Sequence, residues 1–527
     1  MKRKSSFFTR LPALWAASAL LAADAAVFRA LRMVWVFYDP ALRFLGGALG
    51  LFVFMLCLCA VSFALLLLRL SGRERGGKPL WQSKRCTVAS GVCFVFSVLF
   101  AAAIAAILSF SGGETSKTML FYLQNDLPVL LGFAAAAGMV LVLPRLGARG
   151  RTVCAVCFFV CAAAAVLWLF GVRLPYRLVS APVVMDTGKD YAVLFATSEP
   201  GTGYVTCSVD GTAQTIFDRK NGRRVGDRRL HTVHVPYDAL KNSSYTVGST
   251  RVIEEFSYGS RLGATVTGGP YTLHVNEGET QTYLLISDWH TYLKDAKAAI
   301  SHLGDYDAVL MLGDPAPGMD FEAQAVRYLV QFGGELTGGE KPVLYVRGNH
   351  ETRGPFAAAF PERIGYAQLY YTADRSPYSF LVLDSGEDKP DSHIEYGGMD
   401  DYARNRREEL QWLQSVEPKN EKLIVLTHAW QFDETDETTS RAAWDAFSAL
   451  GARFVLSGHK HTCEFLSAKD EDYRPYAEAY PNITAYIDGG HSGKTYIASK
   501  LTLTPKEVQI EAVNNRGAEV ENRVLPW

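Results

Sequence analysis

The chain has 527 residues and a formal net charge of -1, so it is long enough for two or three domains that each bury a core. The charge is unevenly spread, because residues 1–175 carry 18 Lys/Arg and 5 Asp/Glu, whereas the remainder carries 35 and 49. The acidic remainder has no evident nucleic-acid-binding surface, since such a surface needs basic residues that neutralise phosphates.

Four long apolar runs in residues 1–175 predict helices that cross a membrane. None contains a charged residue, and a bilayer core needs about 20 apolar residues in a helix. The runs are Phe44–Leu68, Cys86–Phe110, Leu127–Leu143 and Val153–Val172. An earlier segment, Leu11–Phe37, is compatible with a fifth span, an interfacial helix or a signal peptide.

The basic residues between these runs predict the orientation of the chain. The connectors Arg69–Arg85 and Pro144–Thr152 are rich in Arg and Lys, whereas Ser111–Asp126 has Lys117 as its only basic residue. By the positive-inside rule, the first two connectors face the cytoplasm and everything after Arg173 lies outside. We therefore expect a multi-pass protein of the cell membrane, in contact with membrane lipid, whose later domains are extracytoplasmic.

Residues 180–276 change to short strand-like runs separated by turn residues. Tyr191–Thr197, Gly203–Val209, His231–Val235 and Tyr245–Val252 are examples, and no helical period occurs between them. This pattern predicts an antiparallel β-sandwich. The segment has no cluster of reactive residues, so a spacer or packing role is the simplest interpretation.

Residues 281–527 have an α/β pattern in which apolar strands alternate with helical segments. At the ends of five strands, residues of metal-ligand type follow within one to three positions. Ligands of open α/β sheets gather at the carboxyl ends of strands, so five similar strand ends predict one site. The five blocks are Asp288-Trp289-His290, Gly313-Asp314, Gly348-Asn349-His350-Glu351, Thr427-His428 and Gly458-His459-Lys460-His461.

The residue types in these blocks suit a pair of divalent cations. Asp and His supply oxygen and nitrogen donors for Mn, Fe or Zn. Gly313, Gly348 and Gly458 allow sharp turns where a side chain would block the cations. Asp314 can give one oxygen to each of two cations, and Asn349 can add a neutral carbonyl oxygen.

The ordered series of blocks resembles the calcineurin-like metallophosphoesterase superfamily over about residues 281–500. The resemblance implies an α/β four-layer sandwich with two divalent metal ions. It implies that Asp288, His290 and His461 bind the first metal, that Asn349, His428 and His459 bind the second, and that Asp314 bridges them. His350 would act as a general acid toward the leaving oxygen or stabilise transition-state charge.

The upstream β-rich segment, taken as fibronectin-like, further resembles that of purple acid phosphatases. The sequence departs from that family because Pro317 occupies the position of its tyrosine, while His290 is present where the family lacks a histidine. A tyrosinate-iron site is therefore not expected.

The resemblance implies an enzyme that hydrolyses phosphate mono- or diesters, and the predicted spans and orientation add a membrane anchor and an extracellular or lipid-linked substrate. Arg353 and His491 are candidate substrate contacts. The alternative is a membrane receptor or scaffold that binds a phosphorylated ligand without turnover.

Overall fold

This computed structural model describes residues 175–256, 259–493 and 495–527, together with scattered residues between 61 and 99. The chain divides into two compact units, Met1–Leu174 and Pro175–Trp527. In the first unit, strands β1 (Glu74–Arg75) and β2 (Lys78–Pro79) pair in an antiparallel hairpin. All other helices and strands whose two ends are described belong to the second unit.

The structure corrects the predicted membrane bundle. No helix among the described residues is long and apolar enough to cross a membrane. Among the helices whose two ends are described, the longest is Glu437–Ala449 with 13 residues, whereas a bilayer core needs about 20. The four apolar runs and Leu11–Phe37 lie outside the described residues, apart from scattered positions. The prediction of transmembrane helices and of a cell-membrane location with an extracytoplasmic domain is corrected on this finding.

The second unit is built mainly of β-strands. Its first eight strands are β3 (Val183–Asp186), β4 (Tyr191–Val209), β5 (Thr212–Phe217), β6 (Arg219–Lys220), β7 (Arg223–Arg224), β8 (Arg228–Val235), β9 (Ser244–Phe256) and β10 (Gly259–Thr272). The later strands are β11 (Gln281–Ile286), β12 (Ala308–Met311), β13 (Pro342–Tyr345), β14 (Tyr371–Arg375), β15 (Tyr378–Val382), β16 (Lys422–Leu426), β17 (Ala452–Ser457), β18 (Glu464–Phe465), β19 (Thr484–Ile487), β20 (Gly490–Ser492), β21 (Thr495–Leu503), β22 (Glu507–Asn514) and β23 (Glu519–Pro526).

Short helices connect these strands. The α-helices described in the second unit are α1 (Tyr237–Leu240), α2 (Leu293–Ile300), α3 (Glu322–Gln324), α4 (Phe332–Thr337), α5 (Phe360–Arg363), α6 (Tyr402–Leu413), α7 (Glu437–Ala449) and α8 (Arg474–Ala479). A π-helical turn, Ala325–Gln331, joins α3 to α4, and 3-10 turns cover Asn349–Thr352 and Ile394–Tyr396.

Two large sheets and a two-stranded sheet of β6 and β7 contain the described strands of this unit. The larger sheet runs in the order β10-β9-β4-β3-β13-β12-β11-β21-β22-β23, with β5 and β8 on β4 and β20 on β21. Within it, β11, β12, β13 and β3 are parallel neighbours. The smaller sheet runs β14-β15-β16-β17-β19-β18, and its strands from β15 to β19 are parallel.

The predicted fibronectin-like sandwich is also corrected, because all of its strands except β6 and β7 are part of the larger sheet. Pro342 and Val343 of β13 pair in parallel with Val184 and Met185 of β3. Residues 183–272 therefore extend the sheet that carries the first three blocks. The described fold is mostly β-sheet with an α/β region, rather than a helical bundle followed by two sandwiches.

Alternating side chains bury both faces of the smaller sheet, as the period of a strand requires. Phe380 and Val382 of β15 face the larger sheet, where Tyr283 contacts Phe380 with ring centroids 5.1 Å apart. Leu381 packs on the opposite face against Trp444 and its neighbours from α6, α7 and α8. This packing brings the carboxyl ends of β11, β12 and β13 next to those of β16 and β17.

Helix α7 shows how local sequence sets such an element. Asp436 caps its first turn by accepting a hydrogen bond from the backbone N–H of Thr438 at 2.9 Å. Ala443, Trp444 and Phe447 recur at helical spacing and are buried, so one face of the helix packs on the smaller sheet. The loop before α7 is thereby fixed beside the carboxyl end of β16.

Candidate metal centre

The structure brings the side chains of all five blocks into one cluster. Three groups of potential ligand atoms form, and within each group the atoms lie within 4.8 Å of one another. The groups are Asp288 with His290 and His461, His290 with Asp314 and His350, and Asp314 with His428 and His459. The sequence-predicted ligands therefore converge, as expected for strand ends that meet at one crevice.

Asp314 lies at the middle of the cluster. Its Oδ2 atom lies 3.3 Å from His428 Nε2, 3.9 Å from His290 Nε2 and 3.8 Å from His350 Nε2. Its Oδ1 atom accepts a hydrogen bond from the His350 backbone N–H at 2.9 Å. Asp314 thus lies beside His290 of the first group and His428 of the third, and its carboxylate can offer a ligand atom to each group.

Four of the five clustered histidines are oriented by backbone carbonyls. Each bonds through Nδ1, and because a carbonyl only accepts, Nδ1 carries a hydrogen; in the neutral ring Nε2 is then the acceptor or ligand atom. The pairs are His290 with Ala316 (3.3 Å), His350 with Pro317 (2.8 Å), His428 with Leu312 (2.6 Å) and His461 with His491.

His459 is held from its other nitrogen. Its Nε2 atom lies 3.0 Å from Glu434 Oε2, so Nδ1 is the atom that it can offer to Asp314 and His428. Sequence reasoning missed Glu434, because it lies in no block and follows His428 by six residues.

Two buried oxygens in the cluster lack the partners that a protein interior normally provides. Asp288 Oδ1 lies 3.3 Å from His461 Nε2 but makes no hydrogen bond of acceptable geometry, although the residue is completely buried. The Asn349 side-chain oxygen faces acceptors, among them His428 Nε2 at 3.2 Å. A half-turn of that amide would direct its nitrogen at Asp314 Oδ2 instead. Bound divalent cations would satisfy both oxygens without such a turn, so the donor set fits divalent metal.

The electrostatics of the cluster favour positive charge. Burial alone would lower the pKa of His428, but the carboxylates of Asp314 and Asp288 outweigh burial and raise it to about 10. The contact with the Asp288 carboxylate, 3.3 Å from His461 Nε2, raises the pKa of His461 to about 9. Burial alone would raise the pKa of Asp314, yet His428 and the other imidazoles hold it well below its usual range. Nearby positive charge therefore stabilises the ionised carboxylates, and either protons on the histidines or divalent cations can supply it.

Five of the predicted ligands have left-handed backbone conformations that residues with a Cβ atom rarely adopt. Their φ values are 49° for Asp288, 41° for His290, 56° for Asp314, 72° for His459 and 54° for His461. Such residues cost about 1–3 kcal/mol each and tend to gather at functional sites. The surrounding hydrogen bonds hold this strain, for example from the Asp288 N–H to the Gly313 carbonyl at 3.1 Å.

Gly348 lets the third block approach Asp314. A Cβ atom on Gly348 would lie 2.1 Å from Asp314 Oδ1 and 2.6 Å from its backbone nitrogen. The Gly348 N–H donates to Glu351 Oε1 at 3.0 Å, and the Asp314 N–H donates to the same carboxylate. Buried Glu351 therefore clamps the second and third blocks together.

The two candidate substrate contacts have partners of their own. Arg353 donates to the carboxylate of Glu387 at 2.8 and 2.7 Å and to Asp388 at 2.9 Å, so its charge is neutralised in place. The His491 ring stacks on Tyr292, with ring centroids 3.2 Å apart. Both residues lie beside the cluster, because Arg353 follows the third block and His491 carries the carbonyl that orients His461.

Comparison with known proteins identifies the region that carries these residues. Residues 282–463 match the model of the calcineurin-like phosphoesterase family. This range includes all eight clustered side chains from Asp288 to His461 but not His491. No curated protein matches the chain. Residues 282–463 therefore form a calcineurin-like phosphoesterase domain, and the chain is a metal-dependent phosphoesterase.

Solved structures show weaker likeness. The GAP50 anchor in the inner membrane complex of Plasmodium is 10% identical, with 47% of this chain and 89% of that chain covered and a TM-score of 0.33. A metallophosphoesterase from Sphaerobacter thermophilus is 15% identical, with 46% and 89% covered and a TM-score of 0.24. A predicted phosphoesterase from Streptococcus pneumoniae is 12% identical, with 47% and 98% covered and a TM-score of 0.23. At these values the structures say nothing further about this chain, and the likeness to purple acid phosphatases is not confirmed.

Proposed function

We propose that the domain hydrolyses phosphate mono- or diesters with two divalent cations, and that seven side chains hold them. Asp288, His290 and His461 would bind one cation, and Asn349, His428 and His459 the other, with Asp314 between them. The observation that carries this assignment is the position of Asp314, whose Oδ2 atom lies 3.3 Å from His428 Nε2 in one group and 3.9 Å from His290 Nε2 in the other. The metal could be Mn, Fe or Zn, which all accept this mixture of oxygen and nitrogen donors.

Bound cations of this kind act as Lewis acids toward phosphoryl oxygens and lower the pKa of water. The protein then has to orient the ester and supply a proton. His350 can do this in its protonated form, because the Pro317 carbonyl accepts the hydrogen bond from Nδ1–H and the second N–H, at Nε2, then points to the cluster. Its side chain is 29% exposed, so a substrate can reach it. We assign His350 the role of general acid to the leaving oxygen or of stabiliser of transition-state charge.

Arg353 and His491 are proposed as substrate contacts at the edges of the centre. Arg353 is only 29% exposed and paired with Glu387, so it would meet a phosphate through a partly neutralised guanidinium. His491 presents a ring that Tyr292 already supports from one side. Both roles concern binding of the ester rather than its cleavage.

The test is hydrolysis of an aryl phosphate monoester and diester by the full-length protein with added Mn²⁺ or Zn²⁺. Asp314→Asn should abolish turnover, because the amide cannot give a charged oxygen to each cation. Asp305→Asn is the matched control, since Asp305 is 92% exposed and pairs with Lys341 at the surface. Unchanged hydrolysis by Asp314→Asn would refute the proposal, and binding of a phosphorylated ligand without turnover would favour a binding protein.

A further inference from the structure

His459 differs from the other clustered histidines in the group that orients it. Backbone carbonyls orient four of them through Nδ1, whereas the Glu434 side chain bonds His459 through Nε2 at 3.0 Å. The His459 backbone N–H also donates to Asp288 Oδ2 at 2.9 Å, so the backbone and the ring of His459 are each held by a carboxylate. A side chain can be substituted but a carbonyl cannot, which makes this contact accessible to experiment.

Glu434 is held in place by its own neighbours. Its second oxygen, Oε1, pairs with the ammonium group of Lys460, the residue between His459 and His461. The Glu434 side chain is 13% exposed, so the contact to His459 is partly shielded from water. One oxygen of the Glu434 carboxylate therefore bonds to His459, and the ammonium group of Lys460 neutralises the charge of the carboxylate.

The segment that carries Glu434 is also fixed. Its neighbour Asp433 is buried and pairs with buried Arg406 at 3.3 Å. Asp433 Oδ1 further accepts the backbone N–H of Thr435 at 2.9 Å. The turn between β16 and α7 is thus rigid on both sides of Glu434, which suits a residue that must hold a ring in one orientation.

We propose that Glu434 is a positioning residue for the second cation of the centre, an inference that rests on the proposed function. By accepting the Nε2 hydrogen, Glu434 selects the His459 tautomer whose Nδ1 lone pair faces Asp314 and His428. A carboxylate partner also makes the imidazole more basic and so a stronger ligand, and loss of such a partner typically costs 10- to 100-fold in metal affinity. Among the described residues, Glu434 contacts His459 and Lys460 but no side chain of the first group, Asp288, His290 and His461.

The experiment is calorimetric titration of the metal-free, full-length protein with Mn²⁺. The wild-type chain should bind two equivalents. Glu434→Ala and Glu434→Gln should weaken one of the two binding events by about 10- to 100-fold and leave the other within twofold. Glu437→Ala is the matched control, because Glu437 is 74% exposed and lies three residues along the chain. It should change neither event.

A second measurement separates positioning from loss of fold. Excess Mn²⁺ should restore turnover of the Glu434 variants, so the Mn²⁺ concentration for half-maximal activity should rise by the same factor as the weakened affinity. Thermal unfolding of the metal-free proteins reports whether each variant is folded, and Glu434→Gln keeps the side-chain shape if Glu434→Ala does not fold.

The possible failures can be told apart. If the wild-type chain binds two equivalents and hydrolyses phosphate esters while both Glu434 variants match it, only the positioning role is overturned. Equal weakening of both binding events would also overturn it, because the effect would then be general. If the wild-type chain binds fewer than two equivalents, the proposed dinuclear centre fails and this inference fails with it.

Discussion

Gly313→Ala should damage the centre although it replaces none of the predicted ligands. Gly313 has φ 93°, and an added Cβ atom would lie 2.6 Å from the Gly348 backbone nitrogen and 2.7 Å from both Gly348 Cα and His428 Nδ1. Two of these three neighbours are backbone atoms of a loop that Glu351 clamps. The clash therefore cannot be relieved by turning one flexible side chain.

The expected magnitude follows from two terms. A left-handed backbone costs a residue with a Cβ atom about 1–2 kcal/mol, and an overpacked contact costs about 1–3 kcal/mol. The free energy of unfolding should therefore fall by about 2–5 kcal/mol. Since the contacts must open by roughly 0.4 Å or more, Asn349 and His428 should shift apart, and kcat/KM should fall by about 10- to 100-fold.

Two further alanine variants isolate the cause. Gly451 has φ 80° and no atom within 4 Å of its added Cβ, so Gly451→Ala reports the backbone cost alone. Gly318 lies in the same loop as Gly313, but its added Cβ would lie 3.6 Å from the nearest atom, the Arg353 carbonyl oxygen. Gly318→Ala should leave kcat/KM within about threefold of wild type, a margin set by ordinary van der Waals contact.

The assays are urea unfolding and hydrolysis of an aryl phosphate by the three variants. If Gly313→Ala kept the kcat/KM of Gly318→Ala, the close approach of the second, third and fourth blocks would not matter for turnover. If Gly451→Ala lost as much stability as Gly313→Ala, the backbone conformation rather than the clash would be responsible.

Three further outcomes are expected. Removal of divalent cations with a chelator should lower the midpoint of thermal unfolding, and Mn²⁺ at 1,000 times its Kd should restore about 4 kcal/mol; an unchanged midpoint would contradict a structural metal contribution. Burial lowers the pKa of His231 from 6.5 to about 3, so between these pH values the unfolded chain binds a proton that the folded chain does not bind. Stability is then fully present above pH 6.5 and falls by up to about 1.4 kcal/mol per pH unit towards pH 3, and His231→Gln should flatten this slope in urea titrations. A fragment of residues 281–527 should fail to fold while 175–527 folds, judged by circular dichroism, because it lacks β3 and leaves buried Arg375 without Asp186, 2.5 Å away; cooperative unfolding of the shorter fragment would show that the upstream strands are dispensable.

Local pattern was sufficient to place the strands that carry the blocks. The predicted strands Ala308–Leu312 and Leu423–Leu426 differ by one residue from those observed, because short apolar runs bounded by Gly, Asp and His have few alternatives. The convergence of the blocks could also be expected, since carboxyl ends of parallel strands share one edge. Convergence places the side chains together, and their roles stay proposals.

The N-terminal prediction shows the limit of composition. Apolar runs indicated membrane spans, yet no described helix is long and apolar enough to cross a bilayer. Likewise, closely spaced strands in 180–276 indicated a separate sandwich, because spacing reports strand content and not the neighbour to which each strand bonds. The parallel pairing of β3 with β13 joins residues about 160 positions apart, and only packing decides it.

Contacts between blocks and their surroundings depended on the tertiary fold in the same way. Glu434 meets His459 across 25 positions, and Arg353 meets Glu387 across 34, so neither contact leaves a local signature. Strand period and turn chemistry act over a few residues, whereas the orientation of each imidazole depends on which distant oxygen lies beside it. Residue types therefore indicated the chemistry, and the folded chain decided which nitrogen of each histidine can take part in it.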